Sequence, residues 1–383
     1  MVQPLEGVRV LDLTRLLPGG MLTMMLTDLG ADVLKIEDPN GGDYVRWLPP
    51  LIDGQSAFFR MNNRNKRSLI LDLKHPQGVA VLRRLAAGAD VLVESFRPGV
   101  LARLGCGHDA LRAEFPRLIT CALSGWGADG PYALRGGHDV NYAALTGLLG
   151  AMETPQVLGG QIADMSGAMM ALNAILAALF RRERSGEGAF VDVSLFESAL
   201  PFALYSWTES LLTGAGGGQG RLTGGQAYYR VYRTADGGSM ALGALEPKFW
   251  EAFCTAVHRP DLLPDYLAPE KQAGLRAELE ALFATRSTAD WVALLDGADC
   301  CCVPVRPATA LADDAQVQAR GMAGVGADGV TWMRTPIRMT GLDFQPQAVP
   351  GYGEHTCAAL GEAGYAPEEI ESLLAAGVVR QSA

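Results

Sequence analysis

Short continuous apolar runs alternate with segments of helical periodicity along the first third of the chain. Residues 7–13 form the first run and read as a buried strand. The Leu17-Pro18-Gly19-Gly20 stretch reads as a turn, residues 21–29 as a short helix capped by Gly30, and residues 32–36 as the next strand. The grammar repeats: strand 68–73, helix 76–87 with proline in its first turn, strand 90–94, mainly helical 101–115, strand 118–123. Strands apolar on both faces, alternating with helices, predict a Rossmann-like open parallel sheet covered on both sides, an α/β domain. Two long helices follow, near 164–184 and 195–212, and then a glycine-rich stretch, 214–220. Beyond it the pattern changes. Residues 228–233, the Asp236-Gly237-Gly238 turn and residues 239–243 read as a β-hairpin, followed by helices near 247–257, 271–284 and 288–295. This predicts a smaller α+β domain. The expected organisation is a large domain over 1–212, a linker over 213–225, the small domain over 226–325 and a return to the large domain over 326–383, with a last helix at 367–376.

A chain of 383 residues exceeds one ordinary core, in keeping with two domains. The net charge of −10 argues against nucleic acid and anionic membrane surfaces as partners. An anionic ligand therefore needs a local basic patch. The seven cysteines show no disulfide-framework spacing, and the Cys300-Cys301-Cys302 run would make a poor metal cage, so they read as buried small hydrophobes in a reducing compartment. The first residues lack the features of a signal peptide, and the apolar run 168–180 ends at Arg181-Arg182, short of a membrane span. A cytoplasmic protein with no metal is the expectation. No Gly-x-Gly-x-x-Gly follows the first strand, and no Lys-Ser/Thr follows the glycine-rich stretch, so neither a dinucleotide site nor a phosphate loop is supported.

The richest chemistry lies in Gly137-His138-Asp139-Val140-Asn141-Tyr142 and in Asp164, which sits where a Gly/Ser-containing segment enters an apolar helix. Histidine exchanges a proton near neutral pH. A carboxylate at a helix start is expected to stay ionised through the helix dipole, or to serve simply as the N-cap. Gly136 and Gly137 would let a ligand approach the backbone. Glu246, between the hairpin and a helix, reads as a solvated helix-start carboxylate unless the site recruits it. Among basic clusters, Arg97 follows a strand, the ligand-binding end of such sheets, whereas Asn63-Arg64-Asn65-Lys66-Arg67 precedes one and is either a ligand patch or a solvated edge.

These residues sit within a broader resemblance. The chain resembles the class III CoA-transferase (CaiB/BaiF) family, and within it the α-methylacyl-CoA racemase branch. The likeness runs through Leu29-Gly30-Ala31-Asp32-Val33, Asp90-Val91-Leu92-Val93-Glu94-x-x-Arg97-Pro98-Gly99, Ser124-Gly125-Trp126-Gly127 and Gly130-Pro131-Tyr132 to the closing Glu368-Glu369-Ile370-x-x-Leu373. The branch rests on Gly137-His138-Asp139-x-Asn141-Tyr142 and Glu246-Pro247. The resemblance implies His138 and Asp164 as two catalytic bases, with Glu246 orienting or polarising His138. It implies CoA or substrate contacts from Leu71, Asp72, Leu73, Lys74, Ser95, Phe96, Arg97 and Arg103, and from Gly137, Asp139, Asn141 and Tyr142. It further implies an interlocked homodimer with the active site between the large domain of one subunit and the small domain of the other, and no cofactor beyond the coenzyme A of the substrate. In one place the chain departs from the branch: Glu37-Asp38-Pro39 stands where racemases tend to carry Asp-Arg-Pro, so the arginine that would meet a CoA phosphate is absent.

The expected reaction is racemisation of a 2-methylacyl-CoA thioester through an enolate, with N–H groups at the start of the Asp164 helix stabilising the oxyanion. The alternative is CoA transfer between carboxylic acids, where Asp164 is the nucleophile and His138 a bystander. A third reading is a non-catalytic acyl-CoA-binding subunit.

Overall fold

The computed structural model describes residues 2–326, 329–346 and 348–382, and the chain divides into two compact units. The larger comprises Met1–Tyr142, Gly160–Ala199 and Ala312–Ala383; the smaller comprises Ala143–Gly159 and Leu200–Leu311.

The larger unit is built on β1 (Arg9–Leu13), β2 (Asp32–Glu37), β3 (Arg67–Leu71), β4 (Val91–Glu94), β5 (Ile119–Ser124), β6 (Phe190–Ser194) and, far along the chain, β10 (Val379–Arg380). Their order in the sheet is β10-β3-β2-β1-β4-β5-β6, parallel except for β10, which runs antiparallel along β3. The order runs outward from β1 in one direction and, after β3, from β4 in the other. It therefore reverses between β1 and β4, where open α/β sheets bind ligands at the strands' carboxyl ends. This is the Rossmann-like sheet expected from the sequence. One face carries α2 (Pro76–Ala86) and the last helices, whose side chains share a core with Leu11, Leu34, Leu69 and Val379.

Helix α1 (Leu16–Asp28) starts earlier than its apolar periodicity suggests, and the stretch read as a turn is its first turn. Proline is tolerated there because the N–H it lacks has no helical partner. Gly19 is required, because a Cβ on it would fall 2.2 Å from the side chain of Thr14. Helix α1 packs along α4 (Ile162–Ser185). By length and composition α4 is apolar enough to cross a membrane, contrary to the sequence expectation, since the helix begins at Ile162, ahead of the apolar run 168–180. It packs as a core helix: half of its apolar window is buried, and Arg182 is buried in a 2.9 Å ion pair with Asp90.

In the basic cluster at 63–67, Arg64 and Lys66 are neither ligand patch nor solvated edge, whereas Arg67 is half-buried and pairs with the exposed Asp32 and Glu362. Arg64 is buried and pairs with Asp28 at 2.6 Å, and Lys66 lies within a buried group with Asp12, Thr23 and Asn63. Burial pushes the Lys66 ammonium down to about 8, while Lys35 and Lys66 hold Asp12 at about 2 against the effect of its own burial.

In the smaller unit β7 (Tyr229–Arg233) and β8 (Ser239–Gly243) form the expected hairpin, joined by β9 (Cys302–Pro304) in a three-stranded antiparallel sheet. Helices α6 (Pro247–Ala256), α7 (Gln272–Phe283) and α8 (Thr288–Leu295) bury Trp250, Phe253, Phe283 and Trp291 with Tyr232 and Met240 of the sheet. The seven cysteines are free thiols; Cys106, Cys121, Cys254 and Cys300 are buried, whereas Cys301 is exposed.

Candidate active site

His138 immediately precedes α3 (Asp139–Leu145). Its carbonyl accepts the N–H groups of Asn141 and Tyr142 at 2.8 and 3.3 Å, and its own N–H donates to Asn141 Oδ1 at 3.0 Å. The imidazole is thus carried on a fixed backbone at a helix entry while its ring stays exposed. Asp139 reaches across to the start of α4, where its Oδ1 accepts the N–H of Ala163 at 2.7 Å and of Asp164 at 3.1 Å. A carboxylate suits two unpaired N–H groups at a helix's positive end. This contact spans 24 residues and brings His138 and Asp164 into one site.

Asp164 is therefore not the cap of its helix; that service comes from Asp139. Nor does the helix start hold the Asp164 carboxyl in the usual low range of a carboxylate. Burial raises its pKa to about 6, the Asp139 charge adds to the rise, and His138 opposes it. A carboxyl poised there can give or take a proton near neutrality. Of the N–H groups at the start of this helix, those of Ala163 and Asp164 are already bonded to Asp139, so these two are not the enolate's donors.

Tyr142 is buried beneath the same strip. Its hydroxyl donates to the Gly137 carbonyl at 2.8 Å, and its ring meets Trp126 edge-on at 4.8 Å. A Cβ on Gly137 would lie 2.8 Å from that ring and one on Gly125 2.2 Å from its hydroxyl. The glycine at 137 thus makes room for a tyrosine from the protein side, where the sequence suggested room for a ligand. Burial, with Asp164 and Asp139 nearby, pushes the Tyr142 hydroxyl up to about 12, so it remains a donor.

Two of the segments that the resemblance assigns to CoA lie at the carboxyl ends of β3 and β4, which are separated in the sheet by β2 and β1. Leu71 is the buried last residue of β3, and the turn after it is held by Asp72, whose Oδ1 accepts the Lys74 N–H at 2.9 Å; Leu73 is half-buried and Lys74 exposed. After β4, Ser95 Oγ accepts the Arg15 N–H at 3.0 Å, and Phe96 donates its N–H to the buried Glu94. Arg97 and Arg103 are exposed, and Arg97 Nη2 lies 3.8 Å from where a Gly136 Cβ would be, two residues from His138. Beyond β4 and β5 a cavity of about 520 Å³ opens among Phe96, Pro98, Leu101, His108 and Phe190.

Glu246 belongs to the smaller unit, exposed just before α6, where its carbonyl accepts the Phe249 N–H at 3.0 Å. The exposed thiol of Cys301 is close enough to feel the Glu246 charge. That unit also holds a cavity of about 1120 Å³ lined mainly by apolar residues, among them Leu148, Met152, Phe202, Tyr205 and Val231.

The model of CoA-transferase family III matches residues 5–356. The chain belongs to this family. Among its curated relatives, the human alpha-methylacyl-CoA racemase is 35% identical over 383 residues, with 96% of each chain covered. The mouse succinyl-CoA:glutarate CoA-transferase is 33% identical over 406 residues, covering 99% of this chain and 91% of the relative. A CaiB/BaiF family protein from Brucella suis has a crystal structure that superposes with a TM-score of 0.82 at 30% identity, covering 95% of this chain and all of that one. Family III relatives thus carry both racemase and transferase names at comparable identity. The enzyme is of the family III transferase/racemase group, and the choice between the two reactions falls to the chemistry of the site.

Proposed function

We propose that this family III enzyme racemises 2-methylacyl-CoA thioesters by two-base proton transfer at the α-carbon. The observation that carries the reading is the joining of His138 and Asp164 in one site, with the Asp164 pKa raised to about 6. One base removes the α-proton as the thioester carbonyl becomes an enolate; the other returns a proton to the opposite face and inverts the carbon. Bases of this kind typically contribute about 10²–10⁴-fold each. Glu246 of the smaller unit assists His138, the two meeting across a homodimer. An exposed apolar stretch including Leu204, Trp207, Leu211 and Leu212 on α5 (Leu195–Thr213) supports association.

The test is NMR of one chiral 2-methylacyl-CoA in deuterated buffer, with and without an acceptor acid. Racemisation predicts inversion with deuterium uptake at the α-carbon, independent of acceptor, and loss of that uptake in His138→Ala. Undiminished exchange in His138→Ala would remove the histidine from the mechanism.

CoA transfer remains as a second reading because several relatives bear that name. Here the Asp164 carboxylate attacks the thioester carbonyl and expels CoA thiolate; the thiolate then attacks the mixed anhydride, giving an aspartyl-CoA thioester and free acid. Hydroxylamine trapping separates the readings, since transfer leaves a modified Asp164 and racemisation does not.

A further inference from the structure

We propose that Arg15 binds a phosphate group of the substrate's CoA moiety, presented by a loop whose shape is fixed by buried charges. The inference rests on the acyl-CoA reading above and adds a recognition residue to it.

The loop Thr14–Arg15–Leu16 leaves β1 where the strand order reverses, and it is tied to the loop after β4 by the bond from the Arg15 N–H to Ser95 Oγ. Leu16 has φ +64°, a left-handed conformation that leucine rarely adopts. Such strain persists only where the surroundings impose it, and it is commonest at functional sites. Here the surroundings are buried and charged. Both Asp43 carboxylate oxygens accept the Leu16 N–H, at 3.3 and 3.2 Å. Asp12 Oδ1 accepts the Thr14 N–H at 2.9 Å and its hydroxyl at 2.5 Å. Lys35 Nζ donates to the Thr14 carbonyl at 2.9 Å and lies 3.2 Å from Asp43. Asp12, Lys35 and Asp43 are each at most 1% exposed.

This arrangement decides what the loop can offer a ligand. In a nucleotide-binding loop the backbone N–H groups face the phosphates. Here the N–H groups of Thr14, Arg15 and Leu16 are all spent on Asp12, Ser95 and Asp43. The loop's outward feature is the Arg15 guanidinium, 43% exposed. Its carboxylate neighbour is Asp38 at 4.0 Å, too far for a hydrogen bond, so its donors remain available. Asp38 is the position where the resemblance expects an arginine, and Arg15 places a cationic group beside it. Coenzyme A carries three phosphates, and a protein of net charge −10 must meet them with local cations. A guanidinium suits this task through paired N–H donors.

The experiment is calorimetric titration of CoA into wild-type protein, Arg15→Gln and Asp38→Asn, with melting temperatures alongside. Arg15→Gln is expected to weaken CoA binding about 10-fold or more, as loss of a charge-assisted contact does, with a melting temperature within about 2 °C of wild type because the side chain is exposed. Asp38→Asn, which removes a competing carboxylate, is expected to tighten binding. Wild-type affinity in Arg15→Gln overturns the inference alone, as does a loss of affinity that appears only with a fallen melting temperature. A wild-type protein that binds no CoA overturns the proposed function and this inference with it.

Discussion

Asp164 shows at the residue scale how one carboxyl is tuned by its neighbours. Its pKa is raised by burial and by Asp139, so its contribution to stability is complete below about pH 4 and declines as pH rises through about 6. At pH 7 the ionised form costs roughly 2 kcal/mol, allowing for partial exposure. Asp164→Asn is therefore expected to melt higher than wild type at pH 7, with the gain vanishing near pH 4, while catalysis is lost; a variant that melts lower at pH 7 would contradict this. Asp139→Asn keeps a helix cap but removes a charge. It should move the acidic limb of the kcat/KM profile below pH 6, and an unmoved limb would show that Asp139 does not set the Asp164 pKa. His138 and Asp164 were legible in the sequence as residue types in telling surroundings. The state of Asp164 was not, because the helix-dipole argument knows nothing of burial. The role of Asp139 was also hidden, since its bond joins residues 24 positions apart.

Elements set the precision with which those residues are held. The strip 136–142 is fixed by Tyr142 packing under Gly137, so Gly137→Ala should cost about 1–3 kcal/mol through overpacking. Gly136→Ala, where the added Cβ meets only Arg97 Nη2 at 3.8 Å, should cost less than about 0.5 kcal/mol. Thermal melts of the two variants test the distinction, and equal losses would refute it. Periodicity located five of the six parallel strands, the hairpin and the small-unit helices because each has a continuous or regularly spaced apolar set; it missed β6, a short strand between two long helices whose apolar residues are broken by Asp192. It missed the start of α1, where Pro18 and Gly19 look like a turn yet occupy positions that need neither an N–H bond nor a Cβ. It also missed β10, whose two residues are too few to show a period and whose place is set by pairing with Leu71 and Ile70. The buried ion group left a trace: Asp12 and Lys35 interrupt otherwise apolar strands and stand opposite each other in the β1–β2 register.

For the whole molecule, the proposed homodimer makes the exposed apolar stretch of α5 its natural seam. Light scattering should find wild type as a dimer, and Trp207→Lys with Leu211→Lys should shift it toward monomer; a wild-type monomer would dismiss the pairing. The way the chain is divided also constrains how it comes into being. The core of the larger unit joins Leu11 and Leu34 to Leu360, Val378 and Val379, so that unit must await nearly all of the polypeptide before it can close. The residues of the smaller unit are complete by Leu311. On the ribosome, then, the guest can mature before its host, and a chain arrested between residues 312 and 378 would display a finished insert on a scaffold whose hydrophobic interior still lies open to chaperones and proteases.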